Sequence, residues 1–478
     1  MRKSLALLLT AVTLTALLII PVKAEDARSD ASFSYTAPQA DTVSVSGTDK
    51  VYRVGEGGMT LKKAFSSAPV DGTPVTILLT ESVTYGDRLT VPAGANVTLD
   101  LNGCRMKYKS ATARACLYVN GRLTVVGNGT VENSLFATGA HGIVVNAGGV
   151  LDVRGGTVFV YGGNAIHIVR GRLESISGGA FTSMLGDCIS CTGSVGSITG
   201  GGFSGKRAIV LYYGARAERL EDGVFRASSC SLHVKTGASV GRIGQATFQT
   251  QTGSSYTVNN SGTIDVIDGA TVNCMRGTGA IVNYGYIKEM KAVSVTMVSQ
   301  TRGSGCGMFN ARGQVDSMDV TVTANTVGVW NKGGTISRLT GSVVSDHGYG
   351  VYQNYGGSIT ELNMDVTSYN RACIRNVDGS RIDTVSGGRL IADRENRRYA
   401  DARCIAIYNM SGAEIGKIDG VQVTSHGACI GNSGGVIREI AGGDYNSEAK
   451  TVVNINGGRI YAVTGGTFNV PYDAGIIG

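Results

Sequence analysis

A short phrase recurs along this chain at nearly fixed spacing, and that spacing constrains the fold more than any other feature. Residues 328–341 read "GVWNKGGTISRLTG", and "GVYQNYGGSITELNMD" and "AIVNYGYIKEMKAV" vary the same pattern. The second apolar residue of each such phrase falls at Val153, Ile176, Ile198, Leu220, Ile243, Ile267, Met290, Met318, Leu339, Leu362, Val385, Ile418, Ile440 and Val463. Of the 13 steps between them, 11 span 21 to 24 residues. A period of this length marks a stacked repeat architecture.

The kind of repeat follows from the residues in it. Each unit carries several glycines and many β-branched residues, with no sustained helical apolar period. The fixed Leu and Asn consensus of leucine-rich repeats is missing. Short strands separated by Gly, Asn and Ser clusters remain. Three strands and three turns consume roughly 22 residues, one coil of a parallel β-helix. Proline tests this independently. All six prolines lie outside residues 93–470, as expected where every strand is central and every ladder N–H is needed. The chain is therefore predicted to be all-β, a right-handed parallel β-helix of about 14 or more coils, roughly 65 to 70 Å long for fourteen.

The recurring phrase then has a physical reading. Val329 points inward, Trp330 outward and Asn331 into the turn. Equivalent asparagines precede the apolar column by seven to nine positions at Asn259, Asn283, Asn310, Asn354, Asn376, Asn409, Asn432 and Asn454. Stacked about 4.8 Å apart, their amides can bond one to the next and satisfy buried turn groups.

The ends of the chain depart from the repeat. Arg2 and Lys3, an apolar run from Leu5 to Ile20 and Val22-Lys23-Ala24 make residues 1–24 a secretory signal peptide. A retained anchor is the alternative, although the run is short for a bilayer span. Residues 25–49 suit a flexible linker. Residues 50–96 form an N-terminal cap and first strands, with a short amphipathic helix in "MTLKKAFSSA" placing Leu61, Ala64 and Phe65 on one side. The β-helix occupies 97–470, and 471–478 is a tail. The net charge of +7 falls to +4 once Arg2, Lys3 and Lys23 are removed, which gives no electrostatic case for nucleic acid. Ten cysteines in an exported chain raise the question of disulfides. Cys188, Cys306, Cys373, Cys404 and Cys429 instead open apolar strands in equivalent places, as small core residues do. "CISC" stands alone, so zinc is not expected.

With these residues in view, "TLKKAF" followed by "VTILLTESVTYGDRLTVPAGANVTLDLNG" resembles the start of secreted right-handed parallel β-helix proteins of the pectate-lyase-like superfamily. The closest resemblance is to glycine-rich surface versions from anaerobic gut-type bacteria, and it extends over residues 51–470. It implies the fold, and it implies surface attachment. It does not imply one activity, because lyases, hydrolases, adhesins and structural rods share this architecture.

The chemistry offered by the sequence is sparse. The enzymes that the resemblance brings in place acidic clusters on one sheet, and one branch carries Asn-Thr-Asp, Asp-Asp and Gly-His-Gly motifs. This chain lacks the first two. His347 in "SDHGYG", like His141 and His426 before glycine, reads as turn chemistry. The residues after the apolar column, Glu221, Gly244, Asp268, Lys291 and Asp319, suit a surface charge ladder and not a calcium cage. "DGSRID" offers a candidate catalytic group of Asp378, Arg381 and Asp383, with a polar turn as the plainer account. Two insertions break the period, "SQTRGSGCG" and "ADRENRRYADAR". In the second, Arg394, Arg397, Arg398 and Tyr399 could grip an acidic sugar, or form a solvated, ion-paired loop. An outward column runs Phe309, Trp330, Tyr352, Arg375 and Tyr408. Rings at about 4.8 Å approach the spacing of sugar units, whereas plain cross-strand stacking contributes about 0.2–1 kcal/mol per pair.

Three functions compete. The favoured one is a secreted or cell-surface non-catalytic rod, adhesin-like or structural, binding glycan or protein ligands such as extended glycans or cell-surface components, with no cofactor and no membrane span after signal removal. The second is a polysaccharide lyase or glycoside hydrolase acting on acidic polysaccharide, for which calcium would be the relevant cofactor. The third is a module of a larger surface assembly anchored by another chain.

Overall fold

The structure, a computed structural model, describes residues 50–112, 114–251, 256–298, 305–393, 404–470 and the backbone of 476–477. The signal peptide and linker expected at 1–49 lie outside the described residues, as does most of the tail. The described chain is a parallel β-solenoid of about 17 turns. It holds 46 strands, joined without interruption, and one six-residue helix. None of its helices is long and apolar enough to cross a membrane.

Three faces repeat in each full coil. The first face contains strands such as Ser194–Ile198, Arg216–Leu220 and Ser239–Ile243. The second contains Ala180–Ser183, Thr247–Thr250 and Thr271–Met275. The third contains Gly279–Asn283, Cys306–Ala311, Val327–Lys332 and Val351–Asn354. Some strands turn a corner without a break. Tyr286–Val298, Gln314–Ala324, Thr335–Ser345 and Ser358–Tyr369 run from the first face into the second.

The apolar column read from the repeat is one physical stack on the first face. Ile198 pairs with Leu220, Leu220 with Ile243, Ile243 with Ile267, and Ile267 with Met290. The register continues from Met318 through Leu339 and Leu362 to Val385. These side chains are essentially inaccessible to solvent, and each contributes about 1.5–3 kcal/mol by burial. The second face holds an interior stack that the repeat reading overlooked. Phe181, Phe203, Phe225 and Phe248 lie face to face with centroids 5.0, 4.7 and 4.9 Å apart. Their signal was present in the sequence, because these phenylalanines recur with the coil period.

Small residues begin the third face for a steric reason. Gly328 faces inward, where a Cβ would stand 2.2 Å from Val343 Cγ1. Gly350 and Ala406 occupy equivalent places, in register with Cys373 and Cys429 respectively. Cys188 stands at the same point before the inward Ile189. Cys306 is one residue earlier, in register with Val327, and Cys404 lies outside the strand, so the expected equivalence holds for three of the five cysteines. No disulfide joins the ten cysteines among the described residues, and only Cys104 is not buried. Burial pushes Cys116 up to about 12 and Cys191 up to about 11.

The helix spans Leu61–Ser66, with the Thr60 hydroxyl accepting from the Lys63 N–H at 3.3 Å. Leu61, Ala64 and Phe65 form its buried side. That it covers an open coil remains an expectation.

Candidate functional site

Alternation along the third face sends Val329 into the core, Trp330 outward and Asn331 back inward. The inward amides form a continuous ladder. Asn260 Nδ2 donates to Asn283 Oδ1 at 2.8 Å, Asn283 to Asn310 at 2.9 Å and Asn310 to Asn331 at 2.9 Å. Asn331 donates to Gln353 Oε1 at 3.0 Å, and Gln353 to Asn376 at 3.2 Å. Asn376, Asn409, Asn432 and Asn454 continue at 3.0, 2.9 and 2.8 Å. Two asparagines expected in this ladder are not in it. Gln353 takes the place assigned to Asn354, and Asn260 the place assigned to Asn259. Two-residue alternation from the inward Val351 and Val258 decides the slot, and counting back from the apolar column does not resolve it.

The outward column is in register from Phe309 through Trp330, Tyr352 and Arg375 to Tyr408. All five residues are half-buried. Phe309 and Trp330 have centroids 4.9 Å apart at 39°, and Trp330 and Tyr352 5.4 Å apart at 29°. Asn354 braces this stripe: its Oδ1 accepts from Trp330 Nε1 at 3.0 Å, and its Nδ2 donates to the Tyr352 hydroxyl at 3.1 Å. Burial holds the Tyr352 phenol above its ordinary range, so it stays neutral.

Cations lie across the same rings. The Arg375 guanidinium is 4.7 Å from the Tyr349 centroid and 5.4 Å from that of Tyr352, and it donates to the Tyr349 hydroxyl. Its Nε is buried without a partner among the described residues. Lys332 lies 5.9 Å from Trp330 and 4.8 Å from the exposed Tyr355. The repeat gave no warning of Tyr349, Lys332 or Tyr355, because they stand at corners where the coils differ. Beyond Tyr408 the column holds Gly431, where a Cβ would meet the Tyr408 ring at 3.2 Å. The glycine lets that ring lie down.

The candidate group of Asp378, Arg381 and Asp383 does not converge. Asp378 is exposed in a turn at φ 56°. Arg381 and Asp383 pair with each other on the outer side of the first face. Arg381 also reaches Glu414 at 3.0 Å, and Arg438 grips Glu414 at 2.7 and 3.2 Å. Among the described residues, no hydrogen bond or ion pair joins Asp378 to the other two. The charges elsewhere on this face behave alike: Arg242 spans Glu221 at 3.4 Å and Asp268 at 2.7 Å. No group of three or more His, Cys, Asp or Glu among the described residues could hold a metal ion. Arg394, Arg397, Arg398 and Tyr399 lie outside the described residues.

Histidine plays more roles than the sequence suggested. His347 is exposed in a bend. His426 is bonded on both ring nitrogens, to Asp393 at 2.8 Å and Glu448 at 2.5 Å. These acids stand one coil to either side of it, and the Glu448 hydrogen bond, with Asp393 adding to it, raises its pKa. His141 stacks on His167 at 4.7 Å, and its Nδ1 accepts from the Asn164 backbone N–H at 2.9 Å. Burial pushes His141 and His233 down to about 4 and lowers His167. Beside them Asp187, almost fully buried, takes two hydrogen bonds from Arg207 at 2.7 and 2.8 Å. Arg207 Nη2 also donates to the Tyr212 hydroxyl at 3.3 Å, and Lys235 sits 4.2 Å over the Tyr212 ring.

Comparison with protein-family models, curated proteins and solved structures finds no match.

Proposed function

We propose that this chain is an exported, non-catalytic β-helical rod of the pectate-lyase-like kind that binds an extended glycan along its third face. One observation carries the reading: Phe309, Trp330, Tyr352 and Tyr408 share one outward register with Arg375 among them. Coils about 4.8 Å apart present rings at intervals close to those of sugars in an extended chain. Ring faces take the apolar side of a pyranose, and the neighbouring cations and amides take its hydroxyls. The alternative, cleavage of an acidic polysaccharide, is less well supported because Asp378, Arg381 and Asp383 are spread over a turn and an outer face.

The test is retention of the exported chain on a panel of polysaccharides, scored also for new chain ends, with calcium and with chelator. Retention without new ends, weakened in Trp330→Ala, supports the rod. New ends on a polyuronide would overturn the non-catalytic reading, and the absence of any retention would remove the glycan.

A further inference from the structure

The third face carries a second cluster upstream of the aromatic stripe, and its chemistry differs. By register the outward column continues back from Phe309 through Val282, Asn259, His233 and Val210 to Ser190 and His167. One contact bridges this stretch from side to side. Arg207, three residues before Val210, donates to the hydroxyl of Tyr212, two residues after it. Farther along, the Tyr256 ring and Val282 Cγ2 both lie beside Gly279, where a Cβ would stand 3.2 Å from each. Val210 and Val282 are fully buried, so a ligand on this stretch would meet the bridging polar groups and not the valines.

The charges of this cluster largely cancel. Asp187 is neutralised by the two-point grip of Arg207. The imidazoles of His167 and His233 sit in surroundings that keep them uncharged at neutral pH. Lys235, on the Tyr212 ring, is the cation in excess. Such a site is short of the positive charge that a phosphate or a run of carboxylates requires. It is well supplied with mixed donors and acceptors: guanidinium N–H groups, imidazole nitrogens and the remaining lone pairs of Asp187. Asn259 adds a side-chain oxygen shielded from solvent and without a donor among the described residues. Groups that both give and accept match hydroxyls, which do the same.

We propose that Arg207, Tyr212, His233 and Asn259 form a second subsite, for the hydroxyl groups of an uncharged linear glycan whose other part lies on Phe309, Trp330 and Tyr352. This inference rests on the glycan-binding reading and adds the class of sugar. His233 and Trp330 are four register steps apart, about 19 Å, so a chain of about five or more units touches both subsites. A trisaccharide reaches one.

Affinity electrophoresis of the exported chain tests this, in gels holding a xylan, a mannan, a β-glucan, a polyuronide or a sulfated glycan. Retardation by an uncharged polymer is expected, weakened about three- to tenfold in His233→Ala and in Tyr212→Phe, the loss of one neutral hydrogen bond. Trisaccharides from the retarding polymer should bind with an affinity that Trp330→Ala lowers and His233→Ala does not. Thermal melts matching the parent show that each variant is folded, and Tyr212→Phe keeps the ring beneath Lys235. Unchanged retardation in both His233→Ala and Tyr212→Phe, with Trp330→Ala impaired, would overturn the second subsite and leave the aromatic platform standing. Retardation by the polyuronide or sulfated glycan alone would overturn the uncharged class. No retardation by any polymer would overturn both readings.

Discussion

Asn331 donates its side-chain amide to Gln353 at 3.0 Å, where a longer side chain replaces asparagine without breaking the ladder. The same Nδ2 also donates to the Gly334 carbonyl at 3.0 Å. One buried amide thus holds both the neighbouring coil and its own turn. Asn331→Ala should lower stability by about 1–3 kcal/mol, the cost of leaving buried polar groups unpaired. Hydrogen exchange would show accelerated opening confined to coils near residue 331, since repeats contact only their neighbours. Uniform exchange across the solenoid would contradict a local role.

The interior phenylalanines and the outer rings should separate cleanly. Phe225→Ala removes a fully buried ring from between Phe203 and Phe248, and a loss of about 3–5 kcal/mol is expected. Trp330→Ala removes a half-buried ring and should cost clearly less. Urea denaturation of both variants decides this, and equal losses would mean that the outer stripe is primarily structural.

Gly328 and Val343 make a reciprocal pair. Gly328→Ala places a methyl group 2.2 Å from Val343 Cγ1, and overpacking of this kind costs about 1–3 kcal/mol. Adding Val343→Ala should restore part of the loss. If the double variant is merely the sum of the two singles, the contact is not the cause.

Acidity should act on the histidines in opposite directions. His426 has its folded pKa raised. Its contribution is therefore complete below about 6.5, the value for an unperturbed histidine, and is lost as pH rises through the folded value. His141 and His233, held down to about 4, work the other way: stability falls as pH drops from about 6.5 towards 4, because only the unfolded chain takes up the proton there. Melting curves of His426→Asn and His141→Asn from pH 4 to 8 check this. The first variant should differ more from the parent at acid pH, the second less.

Thiol labelling gives a simple test of packing. Only Cys104 should react with a thiol reagent in the folded chain, and all ten should react in denaturant. Rapid native labelling of Cys373 or Cys188 would mean that the small inward position is open.

How much of this was legible depends on whether a feature repeats along the chain or across it. Ile243 and Leu339 belong to a column whose residues answer one another every coil, and a period is visible in one dimension. Asn354 shows the limit, because a slot one residue away is decided by alternation from Val351 and not by distance to Leu362. The cluster around Arg207 was invisible for a different reason. Asp187 and Arg207 share one register position in neighbouring coils, Tyr212 and His233 stand at others, and only the winding of the chain brings the four together. The Asp378 group failed in the opposite sense: neighbours in sequence were divided between a turn and an outer face.

The amide ladder also gives the molecule an electrical direction. From Asn260 to Asn454 each side chain donates forward, towards the later coil, and none of these links runs backward. The amide dipoles are therefore aligned head to tail, as peptide dipoles are in a helix, and each polarises the next. The carbonyl of Asn260 starts this series, and Asn454 ends it by donating to the Gly458 carbonyl at 2.9 Å. The two ends of the row thus differ in sign, negative at the earlier coil and positive at the later. A substitution that reversed one amide would set two like poles against each other, so the row favours a single orientation throughout its length.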